Sequence, residues 1–269
     1  MAKLSSILLN SKIITKKESQ LVPNSFDVVG DIAIFNDFPK ELVKKEKKIA
    51  GKIIETHNNI YVVAKKSKKY SGRLRTPKIT ILAGDKRKET MHIESGCRLN
   101  LNIETCYFSS RSGSERLRIA KKVKKNESVL VLFSGVAPFP CVIAKRSKPK
   151  EIYAIELSKT AHKYAEENIQ LNKLDNVVLF QGDVKKVLPT IKKKFDRVVM
   201  PLPKNAEEFL ELAKKKLKPK GTIHLYSFAN EDDFKDIKKE YKKQFKHVKI
   251  TKAGHYSPGV FRICLDLKN

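Results

Sequence analysis

The stretch from Val129 to Asp183 constrains this chain more than any other. Val129-Leu130-Val131-Leu132-Phe133 runs into the tight turn Ser134-Gly135-Val136-Ala137-Pro138; Ile152-Tyr153-Ala154-Ile155 ends in Glu156; and Val177-Val178-Leu179-Phe180 leads to Gly182-Asp183. Short continuous apolar runs, separated by segments long enough for a helix, read as buried parallel strands joined by crossovers. In an open parallel sheet a ligand lies beyond the carboxyl ends of the strands, where a glycine admits close backbone approach.

A carboxylate at a strand end can accept both hydroxyls of a ribose, so the layout is that of a nucleoside-cofactor site. The spacing suits S-adenosylmethionine, with Glu156 on the ribose and Asp183 near the adenine. The competing reading is any βαβ unit with acidic turn residues. A dinucleotide fares worse, because Gly135 is the only glycine of the first turn and the three-glycine fingerprint is missing.

Charge points to the partner. The 269 residues carry 57 Lys plus Arg against 29 Asp plus Glu, a formal charge of +28. Such an excess favours a polyanion through phosphate neutralisation and counterion release. The basic residues come in short runs, as in Lys192-Lys193-Lys194 and Lys214-Lys215-Lys216, which suits a broad folded surface better than a disordered arm. Cys97, Cys106, Cys141 and Cys264 form no CxxC pair and no histidines sit at helical ligand spacing, so neither a metal site nor a disulfide framework is signalled. No segment is apolar for long enough to span a bilayer and no signal peptide is evident, so a soluble, cytoplasmic protein without a membrane partner is expected.

Organisation follows from punctuation. Residues 1–24 are polar without a clear period and read as an N-terminal extension; residues 25–104 read as a small α+β module; residues 105–269 carry the parallel-sheet pattern. In the module, Glu41 to Glu55 has helical spacing, and His92 to Ile103 reads as one strand. The loop Tyr107 to Arg118 enters a helix that Ser112 or Ser114 could cap, with Glu115 in its first turn. Lys218-Pro219-Lys220-Gly221 reads as a helix stop before a strand.

The loop Tyr107 to Arg118, the turn Phe133 to Phe139, the segment Glu167-Asn168-Ile169-Gln170-Leu171-Asn172-Lys173 and Asp196-Arg197-Val198-Val199-Met200-Pro201-Leu202-Pro203 together resemble the archaeal and eukaryotic tRNA guanine-37 N1-methyltransferases and the related wybutosine-pathway aminocarboxypropyltransferases. The resemblance covers the chain from Ser25 to its end. It implies an α/β fold: a Rossmann-like class I methyltransferase domain preceded by a small α+β RNA-facing domain. It implies S-adenosylmethionine as cofactor, the tRNA anticodon stem-loop as partner, and a monomer. Full-length archaeal members carry an extra leading domain, so local recognition of the stem-loop is expected here.

The resemblance also assigns residues. Glu115 falls on the general base and Arg75 on the cation that stabilises guanine O6; Tyr107 helps hold the flipped base. Arg116 falls on the cofactor's carboxylate, and Phe133, Gly135, Glu156, Leu157, Asp183, Val184, Pro201 and Pro203 on the rest of the cofactor site. The types suit the chemistry, since guanine N1 is a poor nucleophile until its proton leaves and charge builds on O6. Read without the resemblance, Glu115 is a first-turn acid paired with Arg118, and Arg75 a surface cation. Three positions depart from the family pattern: Val131 stands for an aspartate, Ala137 for a second glycine, and Pro201 for an asparagine. Two further readings follow, aminocarboxypropyl transfer to a wyosine precursor and a tRNA-binding protein that has lost catalysis. The phenylalanine-serine loop Phe108-Ser109-Ser110-Arg111, where the transferases have a Trp-x-x-Gly-Asn type loop, speaks against the first.

Overall fold

The computed structural model describes residues 3–23, 25–72, 74, 76–201 and 206–269. Its contacts divide the chain into two units, residues 1–93 with 100–110, and residues 94–99 with 111–269.

The first unit contains α1 (Leu4–Asn10), β1 (Asp27–Val29), β2 (Ile32–Phe35), α2 (Glu46–Thr56), β3 (Val62–Ser71) and β4 (Thr76–Gly84). The sheet order is β1-β2-β3-β4, with β2 and β3 parallel and the outer pairs antiparallel. Ile49, Ala50 and Ile53 lie at helical spacing on one buried face of α2. The leading residues differ from the extension expected of them. Leu8, Ile14 and Val22 are buried in one core with Phe35, Leu42, Ile49 and Ile53. A helix of 7 residues is too short to display a period, so the sequence hid this contribution.

Two strands follow, β5 (Glu89–Glu94) and β6 (Cys97–Asn102), paired as a two-stranded sheet. One strand was expected across His92 to Ile103. It breaks because Ser95 and Gly96 both take positive φ, 48° and 76°, the requirement of a tight hairpin turn.

The second unit contains α3 (Gly113–Lys122), β7 (Ser128–Leu132), α4 (Pro138–Arg146), β8 (Glu151–Glu156), α5 (Lys159–Leu171), β9 (Val177–Gln181), α6 (Val184–Thr190), β10 (Phe195–Met200), α7 (Leu210–Lys215), β11 (Leu217–Asn230), α8 (Phe234–Lys242), β12 (His247–Ser257) and β13 (Val260–Lys268). The sheet order is β12-β13-β11-β10-β7-β8-β9. Pairings from β11 through β9 are parallel, and β13 is antiparallel to both its neighbours. The chain steps from β7 outward to β8 and β9, then returns to place β10 on β7's other side. That reversal opens a crevice beyond the carboxyl ends of β7 and β10. All five residues of β7 are buried, as the apolar run Val129 to Leu132 requires of the last four. The expected helix stop at Lys218 to Gly221 lies instead within β11, which absorbs it through a register shift against β10 and a positive φ of 63° at Lys220.

Candidate active site

The turn after β7 holds three residues of positive φ: Phe133 at 54°, Gly135 at 58° and Ala137 at 64°. Only glycine takes that conformation without a Cβ penalty, so Phe133 and Ala137 are held there by their surroundings. The backbone N–H of Ser134 donates to Ile155 O at 3.0 Å, and that of Gly135 to Glu156 Oε2 at 2.7 Å. Asn168 on α5, fully buried, donates from Nδ2 to Val136 O at 2.9 Å. One helical turn on, Asn172 receives the Arg98 N–H at 2.9 Å and donates to Arg98 O at 2.6 Å. The two asparagines, four apart on one face, thus fasten the turn and Arg98 to the same helix.

The strand-end acids sit where the pattern places them. Glu156 closes β8 and accepts from Gly135 at 2.7 Å and from Ser158 N–H at 2.7 Å. Burial raises its pKa, and the N–H groups of Ser158 and Gly135 oppose that rise. A carboxylate has about four acceptor positions, so acceptor capacity remains beyond these backbone donors. Asp183 caps α6 by accepting from Lys185 N–H at 2.8 Å. Val184 is buried behind it; Leu157 is half-buried and its carbonyl accepts from Gln181 Nε2 at 3.0 Å. Phe133 meets Phe209 edge to face at 4.9 Å. Pro201 follows β10, half-buried. These residues stand at the ends of β10, β7, β8 and β9, neighbours in the sheet. Beside them Ser134 Oγ is buried with no hydrogen-bond partner among the described residues.

Glu115 and Arg116 lie in the first turns of α3, both buried, at 6% and 3% exposure. Glu115 accepts from Arg118 Nε at 2.8 and 3.0 Å on its two oxygens, and Oε2 also accepts from Tyr226 OH at 2.9 Å. The local pair with Arg118 is therefore present, inside the protein instead of on its surface. Arg116 pairs within the protein, where Nε and Nη2 donate to the two oxygens of Glu94 at 2.5 Å each. Gly113 fits here because a Cβ would stand 3.1 Å from Glu94 Oε2. Neither candidate serine caps α3 by its side chain; Ser112 Oγ accepts from Arg262 Nη1 at 2.6 Å.

Behind Glu115 runs a polar chain that sequence reasoning missed. Arg118 Nη1 donates to Asp266 Oδ2 at 3.2 Å, His224 Nδ1 lies 2.6 Å from Asp266 Oδ1, and Arg197 Nη1 lies 2.6 Å from His224 Nε2. Arg197 also donates from Nε and Nη2 to Glu127 at 2.9 and 3.0 Å. A guanidinium can only donate, so Nε2 accepts and the imidazole proton is assigned to Nδ1, facing Asp266. Burial depresses the His224 pKa to about 4 against the pull of Asp266, with Arg197 and Arg118 adding to the depression. Burial would raise the Asp266 carboxyl, but His224 and Arg118 hold it far below the usual range. Burial likewise raises the Tyr226 phenol. The ligand atoms of His224, Cys264 and Asp266 lie within 4.8 Å of one another. With Arg197 on Nε2 and Arg118 on the carboxylate, this cluster is hydrogen-bonded and flanked by cations, an arrangement hostile to a metal ion.

Arg75 and Pro203 lie outside the described residues. Tyr107 belongs to the first unit and is half-buried in the connection after β6; its neighbour Phe108 packs edge to face on His92 at 5.0 Å. The four cysteines are free and buried, and among the described residues no helix is long and apolar enough to cross a membrane. Asp266 and His224 carried no signal, since alternation in β11 and β13 reads equally well as a solvated face; only Arg118 was legible, as a pairing partner.

Comparison with known proteins agrees with this fold. A family model described as the TRM5/TYW2 methyltransferase domain matches residues 90–253, and one described as the TYW2 N-terminal domain matches residues 4–87. The chain is 37% identical to tRNA (guanine(37)-N(1))-methyltransferase Trm5b of Pyrococcus abyssi, over 93% of this chain and 76% of that protein. It is 32% identical to the tRNA(Phe) (4-demethylwyosine(37)-C(7)) aminocarboxypropyltransferase of Methanocaldococcus jannaschii, over 90% and 97%. The solved complex of aTrm5 with tRNALeu superposes with a TM-score of 0.85 at 32% identity, over 100% of this chain and 79% of that one. Because a family model matches more than half of the chain and relatives above 30% identity bear the same family's names, this chain belongs to the TRM5/TYW2 methyltransferase family.

Proposed function

We propose that the chain is an S-adenosylmethionine-dependent methyltransferase acting on N1 of guanosine 37 in the tRNA anticodon loop. The observation that carries it is Glu115, a buried carboxylate at the start of α3, fixed by Arg118 and Tyr226 with acceptor capacity left over. The names of the relatives supply the substrate, since both the Pyrococcus abyssi protein and the M. jannaschii one act at position 37 of tRNA.

A nucleoside fits the carboxyl ends of β7 and β8. Glu156 keeps acceptor positions for ribose hydroxyls, and Ser134 Oγ is buried without a partner. Phe133, Gly135, Leu157, Asp183, Val184, Pro201 and Pro203 complete the proposed cofactor contacts, and Arg116 would take the cofactor's carboxylate by exchanging Glu94 for it. When bound, S-adenosylmethionine supplies an electrophilic methyl group on sulfonium.

The protein's own work is to make guanine N1 nucleophilic. Glu115 accepts the N1 proton as the N–C bond forms, the S–C bond breaks and its electron pair stays on sulfur. Arg118 and Tyr226 hold the carboxylate so that it points one way before and after the transfer. Arg75 offsets the charge that builds on O6, and Tyr107 holds the base out of its stack. The first unit serves as the RNA-facing domain and the second as the catalytic one, in a monomer working in the cytoplasm.

Aminocarboxypropyl transfer is the second reading, favoured by the match of residues 4–87 to the TYW2 N-terminal domain. Incubation with G37 tRNA and cofactor labelled separately in its methyl and carboxyl carbons separates the two. Methyl label in 1-methylguanosine supports the proposal; carboxyl label in RNA bearing a wyosine precursor supports the second; no label alongside tRNA binding supports lost catalysis. Glu115→Gln should keep cofactor affinity and lose about a hundred- to ten-thousand-fold in turnover. Unchanged turnover would remove Glu115 as the base.

A further inference from the structure

The end of the sheet opposite Glu156 and Asp183 is also concave. A cleft of about 600 Å³ opens where β10, β11 and β12 begin and β13 ends, with α8 as one wall. Arg197, Thr222 and His224 line it together with Lys238, Lys242, Lys246, Lys249 and Lys268. These five lysines are exposed, and among the described residues none has a carboxylate within 4.0 Å of its ammonium group. The one carboxylate in the lining, Asp266, is already engaged by His224, Arg118 and Lys122. Lys238 and Lys242 stand one helical turn, about 6 Å, apart on α8, so the charges form a row and not a point.

Like charges gathered on a concave, low-dielectric wall repel one another and concentrate anions. We propose that this cleft is a second anion site, which grips the phosphodiester backbone of the tRNA outside its target loop. Three features favour the backbone of structured RNA over unpaired bases or a free nucleotide. Ammonium groups are point charges that read no base edge. Among the described residues no Phe or Tyr lines the cleft and His247 is its one exposed ring, a poor platform for a run of stacked bases. No glycine-rich turn supplies the converging N–H groups of a nucleotide site. In its partner the inference rests on the tRNA reading above; in its chemistry it does not.

The test is the triple variant Lys238→Gln, Lys242→Gln, Lys246→Gln in the full chain, beside a control of equal charge loss, Lys12→Gln, Lys16→Gln, Lys17→Gln. Binding of unmodified tRNA is measured over a salt series, with tripolyphosphate as the small probe and methyl transfer by the wild-type chain followed in parallel. If three phosphates are released, the salt slope should fall by about 2 to 3 and affinity at ~0.1 M salt by roughly ten- to a few hundredfold, with S-adenosylmethionine affinity unchanged. Equal losses in both variants, or none in the cleft variant, would overturn the inference, as would loss of tripolyphosphate binding with tRNA affinity intact. A wild-type chain that shows the cleft-dependent tRNA binding yet methylates nothing would sink the proposed reaction and leave the cleft standing.

Discussion

His224→Asn should abolish a pH dependence of stability that the wild-type chain carries. His224 is 1% exposed, with Nδ1 toward Asp266 and Nε2 facing a guanidinium, so a second proton on the ring would point at Arg197. Its pKa is depressed from 6.5 to about 4. A group depressed in the folded state contributes stability that is present above its unfolded pKa and is lost as pH falls toward the folded one. The window is therefore from 6.5 down to about 4. At about pH 5 the unfolded ring is nearly all protonated and the folded ring about one tenth, which costs about 2 kcal/mol; at about pH 4 the cost reaches about 3 kcal/mol. Asparagine keeps a donor toward Asp266 and cannot titrate. Its missing contact to Arg197 lowers stability by an amount that does not vary with pH. Urea unfolding of both chains from about pH 7 down to about pH 5, where Arg118 and Lys122 keep Asp266 ionised in either chain, reads the difference. Parallel stability curves would refute the assigned tautomer and the burial argument together.

Other outcomes follow from the same contacts. Arg118→Met should cost roughly 3 kcal/mol or more, because it leaves Glu115 and Asp266 as buried carboxylates short of a cation; chemical unfolding that shows less than about 1 kcal/mol would mean the pair is weak. Asn168→Ala should cost roughly 1 to 3 kcal/mol by orphaning the Val136 carbonyl, and should weaken S-adenosylmethionine binding severalfold in equilibrium dialysis. Unaltered cofactor affinity would show that the turn holds itself. Pro201→Asn restores an amide at the end of β10 and should raise methyl transfer; a fall would show that the proline belongs to a working variant of the site.

Sequence alone determined which runs form the catalytic sheet's central parallel strands and the acids at their ends. Unbroken apolar runs such as Val129 to Phe133 can only be buried on both faces, and a turn glycine with Glu156 one strand later follows from that topology. The pairing of Glu115 with Arg118 was legible too, because positions three apart in a helix must be neighbours. Tertiary structure decided what those local patterns could not. It buried Leu8, Ile14 and Val22 of the leading residues, turned Arg116 onto Glu94, and set His224 and Asp266, 42 residues apart, in contact through the antiparallel pairing of β11 with β13. It also gathered lysines from α8, β12 and β13 around one cleft. Local spacing specifies a helix face or strand edge; which face meets which depends on register between distant strands, and one residue of slip would send every such side chain to the other side.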